Sequence, residues 1–360
     1  MISVRRIIRR LTAVLAAVGA ACGLVVAGAG LAEAAVPNAW GFALVESPSG
    51  PVVATHWAES VPSPVPVAFP GAPGQVTVRF QGIGFFKGGV VHATAVTGQF
   101  AWCQAQQWRP LGGAELVTVR CYGKGGIPVF VPFTVTFTAS SGTLPGGLAY
   151  AYVYDTGAGV ASSFNSTGLP DTVTVLAPGV WRVQLPGPGP ATASGGVQVT
   201  AVNATAPAIC DIGGQAWTAS GQVIIVRCYN VGGVPHPSGW TLSYQRGRAI
   251  TGAQPSHFAY TVNNTALPTY VPAPPAVNFN SAGGINTISN GGPFALVRFP
   301  HVGFLPNIVF VTAFAPAARI CNLNTVWGTA AGNALVRDVV CYLPSGAGAP
   351  AESFTTYTSK

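Results

Sequence analysis

The chain has 360 residues, of which 7% are charged and 49% hydrophobic, with 46 Gly, 31 Pro and a formal net charge of +8. Soluble domains carry about 25% charged residues, yet disorder needs low hydrophobicity and high charge, and a coiled coil needs many Glu, Lys and Arg. Collagen is excluded because Gly shows no three-residue period, and the length allows two or three domains.

Residues 1–35 carry Arg5, Arg6, Arg9 and Arg10, then an apolar run from Leu11 to Leu31, then Ala32-Glu33-Ala34. A basic start, an apolar middle and small residues at the cleavage position predict a secretory signal peptide. Its removal leaves 13 basic and 8 acidic side chains and a net charge of +5. No basic cluster remains, so nucleic acid is not an expected partner. No further run of about 20 apolar residues follows, so no membrane span is expected after cleavage. The expected location is secreted, in an extracellular compartment that permits disulfides.

The remaining six Cys fall into three pairs, Cys103 with Cys121, Cys210 with Cys228, and Cys321 with Cys341, spaced 18, 18 and 20 residues apart. Three repeats follow from this spacing, over 36–142, 148–248 and 257–360. The first opens with Trp40 and Phe42. It continues through Val78-Arg79-Phe80 and Val90-Val91-His92-Ala93-Thr94-Ala95-Val96, and then has Trp108 between its Cys pair. Phe133-Thr134-Val135-Thr136-Phe137 closes it, with Thr on one face and apolar residues on the other.

The second copy opens with Tyr150, Tyr152 and Tyr154. It repeats the pattern at Val183-Gln184-Leu185, Val197-Gln198-Val199-Thr200-Ala201, Trp217 and Trp240-Thr241-Leu242-Ser243-Tyr244. The third has Phe258 and Tyr260, Val297-Arg298-Phe299, Val311-Thr312-Ala313 and Trp327. Its aromatic after the second Cys, Phe354, lies 13 residues on rather than 12. Phe164-Asn165-Ser166 and Phe279-Asn280-Ser281 match each other, and the first copy lacks this motif. Short alternating runs rich in Val, Thr and aromatics, punctuated by Gly, Pro and Asn, read as strands. The expected fold class is all-β: three tandem antiparallel β-sandwich domains, immunoglobulin-like or fibronectin-like, with one disulfide each.

Pairing within each copy is the simplest of 15 connectivities. Each link closes a loop of roughly 20 residues, worth about 3 kcal/mol from loop-closure entropy. The short spacing places it between neighbouring strands rather than between sheets. Zinc is not expected, because no Cys-x-x-Cys or clustered His accompanies these Cys, and no metal or other cofactor is implied.

Val199-Thr200-Ala201, Trp217, Val226-Arg227-Cys228-Tyr229, Gly232-Gly233 and Trp240-Thr241-Leu242-Ser243-Tyr244 resemble tandem β-sandwich repeats of uncharacterised secreted actinomycete proteins. The resemblance spans nearly the whole chain after residue 35. It implies secretion and a repeated β-fold, and brings no activity. The third copy departs from it, with Val340 where Arg120 and Arg227 precede the second Cys.

Catalytic chemistry needs convergent polar groups. The best available trio is Ser163, Asp171 and His236 in the second copy, which would make a hydrolase confined to that repeat. Asp155 and Asp211 each stand alone, where a calcium loop needs several carboxylates. Aromatics outside the repeat core are candidate stacking platforms for a neutral ligand: Trp57, Trp102, Trp181, Tyr150, Tyr152 and Tyr154. The expected function is a secreted non-catalytic protein that binds a neutral polysaccharide or cell-wall surface, or associates with itself.

Overall fold

Val, Thr and aromatic side chains suit a pleated surface, and Gly, Pro and Asn end it. The chain is accordingly all-β in the computed structural model, which describes residues 39–84, 88–140, 149–187, 195–252, 257–272 and 277–360. The expected signal peptide lies outside the described residues. The first repeat contributes β1 (Ala39–Val45), β2 (Gly50–Pro51), β3 (Trp57–Glu59), β4 (Val67–Pro70), β5 (Gln75–Gly84), β6 (Val90–Ala95), β7 (Ala101–Leu111), β8 (Gly113–Gly123) and β9 (Phe133–Ala139). The second contributes β10 (Ala149–Asp155), β11 (Val160–Asn165), β12 (Thr172–Ala177), β13 (Val180–Pro186), β14 (Gly196–Val202), β15 (Ile209–Thr218), β16 (Gly221–Tyr229) and β17 (Gly239–Arg246). The third contributes β18 (His257–Asn263), β19 (Thr269–Tyr270), β20 (Asn278–Asn280), β21 (Thr287–Gly291), β22 (Phe294–Phe299), β23 (Asn307–Ala313), β24 (Ile320–Leu323), β25 (Gly328–Ala330), β26 (Asn333–Tyr342), β27 (Gly348–Ala349) and β28 (Ser353–Ser359).

Each repeat builds two sheets. The inner ones run β3-β1-β9-β6, β11-β10-β17-β14 and β20-β18-β28-β23. The outer ones run β7-β8-β5-β4-β2, β12-β13-β16-β15 and β19-β21-β22-β26-β24. Apolar residues from both sheets share one core, as Ala43, Val45 and Phe133 do with Val78, Phe80 and Val119 in the first repeat. The disulfides Cys103–Cys121, Cys210–Cys228 and Cys321–Cys341 form between directly opposed residues of adjacent outer strands. They are thus not the inter-sheet bridge of an immunoglobulin domain. Three formed disulfides fit an oxidising environment, and no helix among the described residues is long and apolar enough to cross a membrane.

The repeats close into a ring. Val96, just past β6, makes a parallel bridge to Leu323 of the third repeat. Phe314, just past β23, does the same to Ile212 of the second, and Val202, ending β14, to Ala105 of the first. Each acceptor lies two residues beyond the first Cys of its pair, so one head-to-tail contact recurs three times and closes. A threonine two residues before each bridge makes a second link. Thr94 Oγ1 accepts the Val311 N–H at 3.1 Å, Thr312 Oγ1 that of Val199 at 3.1 Å, and Thr200 Oγ1 that of Ala93 at 3.2 Å. Each thereby reaches the residue preceding the next threonine of the ring.

Ring closure corrects one expectation. The alternation of β9 and β17 suggests a Thr face in water, yet every residue of β1, β6, β9, β14, β23 and β28 is buried. The second face of each inner sheet packs on other repeats. Hydroxyls bond there, Thr94 Oγ1 to Val311 O at 3.2 Å and Thr241 Oγ1 to Val91 O at 2.6 Å, while Thr138 Oγ1 bonds Thr251 O, between repeats 2 and 3, at 3.0 Å and Thr136 Oγ1 bonds Gly41 O of its own sheet at 2.9 Å. Register also separates Phe354 from its apparent counterparts. Phe133 pairs with Val45 and Trp240 with Asp155, whereas the equivalent Asn263 pairs with Ser353. Phe354 therefore points to the other face and packs in the second repeat's core.

Candidate functional site

Burial removes four of the six proposed aromatic platforms from solvent. Tyr150 and Tyr152 occupy the register of Trp40 and Phe42 and are buried against Val90 of the first repeat. The Tyr150 hydroxyl donates to Ile250 O at 2.8 Å. Trp181 packs on Trp240 inside the second core, with ring centroids 5.9 Å apart. Trp102 meets Ile209 and Ile320, the equivalent residues before each first Cys, on the ring axis. Its Nε1–H donates to Ala208 O at 2.9 Å. Stacking on a sugar needs an open ring face, so these four are corrected to packing residues. Trp57 is half-buried against the first core, and Tyr154 is half-buried at the boundary of the first two repeats.

Ser163 and Asp171 line one shallow groove of about 420 Å³. His236 does not join them. It lies beside Gly179, in the turn between β12 and β13, and its N–H bonds Cys228 O. Asp171 precedes the opposite end of β12, so the hairpin's length separates the pair. Asp171 has a structural counterpart instead. Asn165 Nδ2 donates to Asp171 Oδ1 at 2.8 Å and to Pro186 O at 3.1 Å; Asn280 Nδ2 donates to Asn286 Oδ1 at 2.9 Å and to Pro300 O at 2.8 Å. Burial pushes the Asp171 carboxyl up to about 7. In the first repeat, Glu59 holds the position of Asn165 and accepts the N–H groups of Gln81 and Gly82 at 3.2 and 3.0 Å. Ser60, Ser166 and Ser281 all accept the N–H of an aromatic in the neighbouring strand, at Trp40, Tyr150 and Phe258.

The ring axis holds a cavity of about 50 Å³ lined by Thr94, Thr200 and Thr312. That is room for on the order of three waters, too little for a sugar. Larger grooves lie at the seams. The seam of repeats 1 and 2 has one of about 340 Å³, and that of repeats 2 and 3 one of about 220 Å³.

The two seams solve one problem with different residues. In each, the chain leaving an inner sheet offers two carbonyls to its neighbour. At seam 1–2, Gln104 Nε2 donates to Asn203 O at 2.7 Å and Gln106 Nε2 to Ala204 O at 2.9 Å. Gln104 Oε1 accepts the Ala208 N–H at 2.8 Å. At seam 2–3 the equivalent carbonyls are those of Ala315 and Pro316, and Arg227 donates to both. Asp211, in the position of Gln104, binds Arg227 at 3.0 Å and accepts the Arg319 N–H at 3.3 Å. Gly213, in the position of Gln106, makes room: a Cβ there would lie 2.5 Å from Arg227 Nε. Asp155 is a turn residue, accepting the Gly157 N–H at 2.7 Å. Among the described residues no group of three His, Cys, Asp or Glu is placed to hold a metal.

The seam 1–2 groove is lined by Gln106, Tyr154, Thr156, Asn203 and Ser238 with small and apolar neighbours, and none of its lining residues is charged. Trp108 fixes the Tyr154 ring at 4.6 Å, and donates its own Nε1–H to Gly88 O at 2.8 Å. Asn203 Oδ1 accepts the Thr205 and Ala206 N–H groups, and its Nδ2 donates to Ser238 Oγ at 3.3 Å. Among the described residues no hydrogen bond engages the Tyr154 hydroxyl or the second amide hydrogens of Gln106 and Asn203, so these groups are open to a ligand. Tyr154 was legible as a non-core aromatic, while Gln104 and Gln106 carried no recognisable motif. A further unanticipated residue is Glu115, fully buried in the first core with neither carboxylate oxygen partnered. Burial pushes its pKa up to about 8.

Comparison with protein-family models, curated proteins and solved structures gives no match.

Proposed function

We propose that the protein is a secreted, non-catalytic binding module for a neutral, hydroxyl-rich polymer such as a polysaccharide of an extracellular or cell-wall surface. The observation that supports this is the uncharged seam 1–2 groove, with a braced tyrosine and free amide donors. A sugar presents hydroxyls for such donors and an apolar C–H face for an aromatic ring. Charged ligands would find no counter-charge in the lining. A site between repeats also explains why no repeat carries it alone.

The test is retention of the purified, disulfide-intact chain on insoluble neutral glucans, chitin and cell-wall material. Retention on at least one, reduced about tenfold or more by Tyr154→Ala with an unchanged melting temperature, is expected. A folded protein that none of these matrices retains, or retention indifferent to Tyr154→Ala, overturns the reading.

A further inference from the structure

The outer sheets of the three repeats end on equivalent strands, β4, β12 and β21, and two of these ends are covered. β2 pairs along β4, joining Gly50 to Ala68 and Pro51 to Val67. β19 pairs along β21, joining Thr269 to Ser289 and Tyr270 to Ile288. Among the described residues no strand pairs with the outer side of β12. The cause lies in the connections. Residues 46–56 join β1 to β3 and residues 264–277 join β18 to β20, and both contain the covering strand. Only residues 156–159 join β10 to β11, too few to supply one.

The open edge lacks three of the usual protections, its one irregularity being a register shift between Val175 and Ala177. Exposed edge strands are blunted by charge, proline or a covering segment, because their free N–H and C=O groups template pairing with another chain. β12 reads Thr172-Val173-Thr174-Val175-Leu176-Ala177, with no charge and no proline. Val175 is 65% and Leu176 55% exposed. β11, the end of the inner sheet, reads Val160-Ala161-Ser162-Ser163-Phe164-Asn165 and is uncharged, and among the described residues no strand pairs with its outer side either. Residues 166–171 join the two strands, so both edges lie along one side of the sandwich.

We propose that this side of the second repeat is an interface with a second copy of the chain, formed by antiparallel pairing of β12 with its own counterpart. A two-fold axis perpendicular to the sheet keeps each side chain on its own face. With Thr174 on that axis, Val173 stands beside the second copy's Val175, and the two apolar rows become one. Charge permits the same arrangement. Arg182 on β13 is opposite Thr174, so the two copies' Arg182 side chains stand three strand spacings apart, about 14 Å. That exceeds the screening length of about 8 Å at physiological salt. A strand alone is a small contact, so the dimer is concentration-dependent. The stacked β11 edges extend it across both sheets. This inference does not depend on the seam groove or its ligand.

The experiment is sedimentation of the purified, disulfide-intact chain from 1 to 500 µM, for wild type, Val175→Lys and Phe69→Lys. Phe69 lies on the covered strand β4. The expected result is a dimer fraction that rises with concentration in wild type and Phe69→Lys, and a monomer for Val175→Lys with wild-type melting. A second arm oxidises Thr174→Cys, which is expected to give a covalent dimer through equivalent cysteines. A monomer at every wild-type concentration, or a dimer that Val175→Lys leaves intact, overturns the interface. A persistent dimer without the Thr174→Cys cross-link overturns the two-fold register. Because Tyr154 is left unaltered, polymer retention by monomeric Val175→Lys keeps this failure distinct from failure of the binding function.

Discussion

Seams 1–2 and 2–3 are built on the same backbone and sealed by opposite chemistries. At the first, two glutamine amides satisfy the carbonyls of Asn203 and Ala204, and the arginine before the second cysteine, Arg120, turns outward to Pro73 O. At the second, the corresponding arginine, Arg227, turns inward to the carbonyls of Ala315 and Pro316 and needs Asp211 beside it. One glycine decides between them, since any side chain at position 213 would occupy the place of the Arg227 guanidinium. The uncharged solution leaves a larger groove, whereas at the other seam Glu352 of the smaller groove is tied to Arg319 at 2.5 Å. A shared arginine-cysteine motif therefore does not imply a shared role.

The sharpest way to break the contrast is Arg227→Leu. It leaves Asp211 with only the Arg319 N–H and strands two carbonyls, and removing one partner of a buried pair costs about 3–5 kcal/mol. Arg120→Leu, at the matched position, is expected to cost less than about 1 kcal/mol. Urea unfolding of the two variants side by side reads the difference.

Glu115 shows what a buried carboxyl does without such a partner. Its folded pKa, raised to about 8 from 4.5, means its stabilising contribution is full below pH 4.5 and lost as pH rises through 8. Glu115→Gln is expected to match wild type near pH 4 and to exceed it by about 2–4 kcal/mol near pH 9. Thermal melting across that range would show equal slopes if the carboxyl were hydrated or paired.

Gln104→Leu removes three hydrogen bonds from seam 1–2, to Asn203 O, to Ala206 O and from the Ala208 N–H, and leaves buried groups unpaired, an expected loss of about 2–3 kcal/mol. It should also loosen the groove, so amide exchange at Ala208 is the local readout. Gly213→Ala is the smallest change. It pushes the Arg227 guanidinium aside and is expected to cost about 1–3 kcal/mol as overpacking. Reducing this cost by Arg227→Gln in the same chain would identify the glycine as room for arginine rather than a backbone requirement.

Much of the architecture was legible because disulfides and strands leave local marks. Recurring Cys spacings of 18, 18 and 20 residues gave the three pairings, and alternation at Phe133–Phe137 and Trp240–Tyr244 gave the strands. Alternation cannot say what lies against the polar face, so Thr136 and Thr241 read as solvated when another repeat covers them. For the same reason Tyr150 and Tyr152 read as open platforms. Asp171 looked like a possible acid because its counterpart in the third repeat is the uncharged Asn286, so sequence comparison could not expose the shared scaffold role. Gln104 and Gln106 sit among ordinary strand residues, and only ring closure gives them carbonyls to reach.

Threonine on the covered faces also bears on how such a ring is assembled. The contact between Val96 and Leu323 joins the first repeat to the last, so it forms only after nearly the whole chain has been synthesised. Until then the part of repeat 1's inner face that repeat 3 covers, with Trp40, Phe42 and Leu44 beside its threonines, must wait uncovered. A wholly apolar face in that position would seek any apolar partner and aggregate. Hydroxyls are hydrated while they wait and exchange water for a neighbour's backbone when the third repeat arrives, so the unfinished ring stays sociable with solvent.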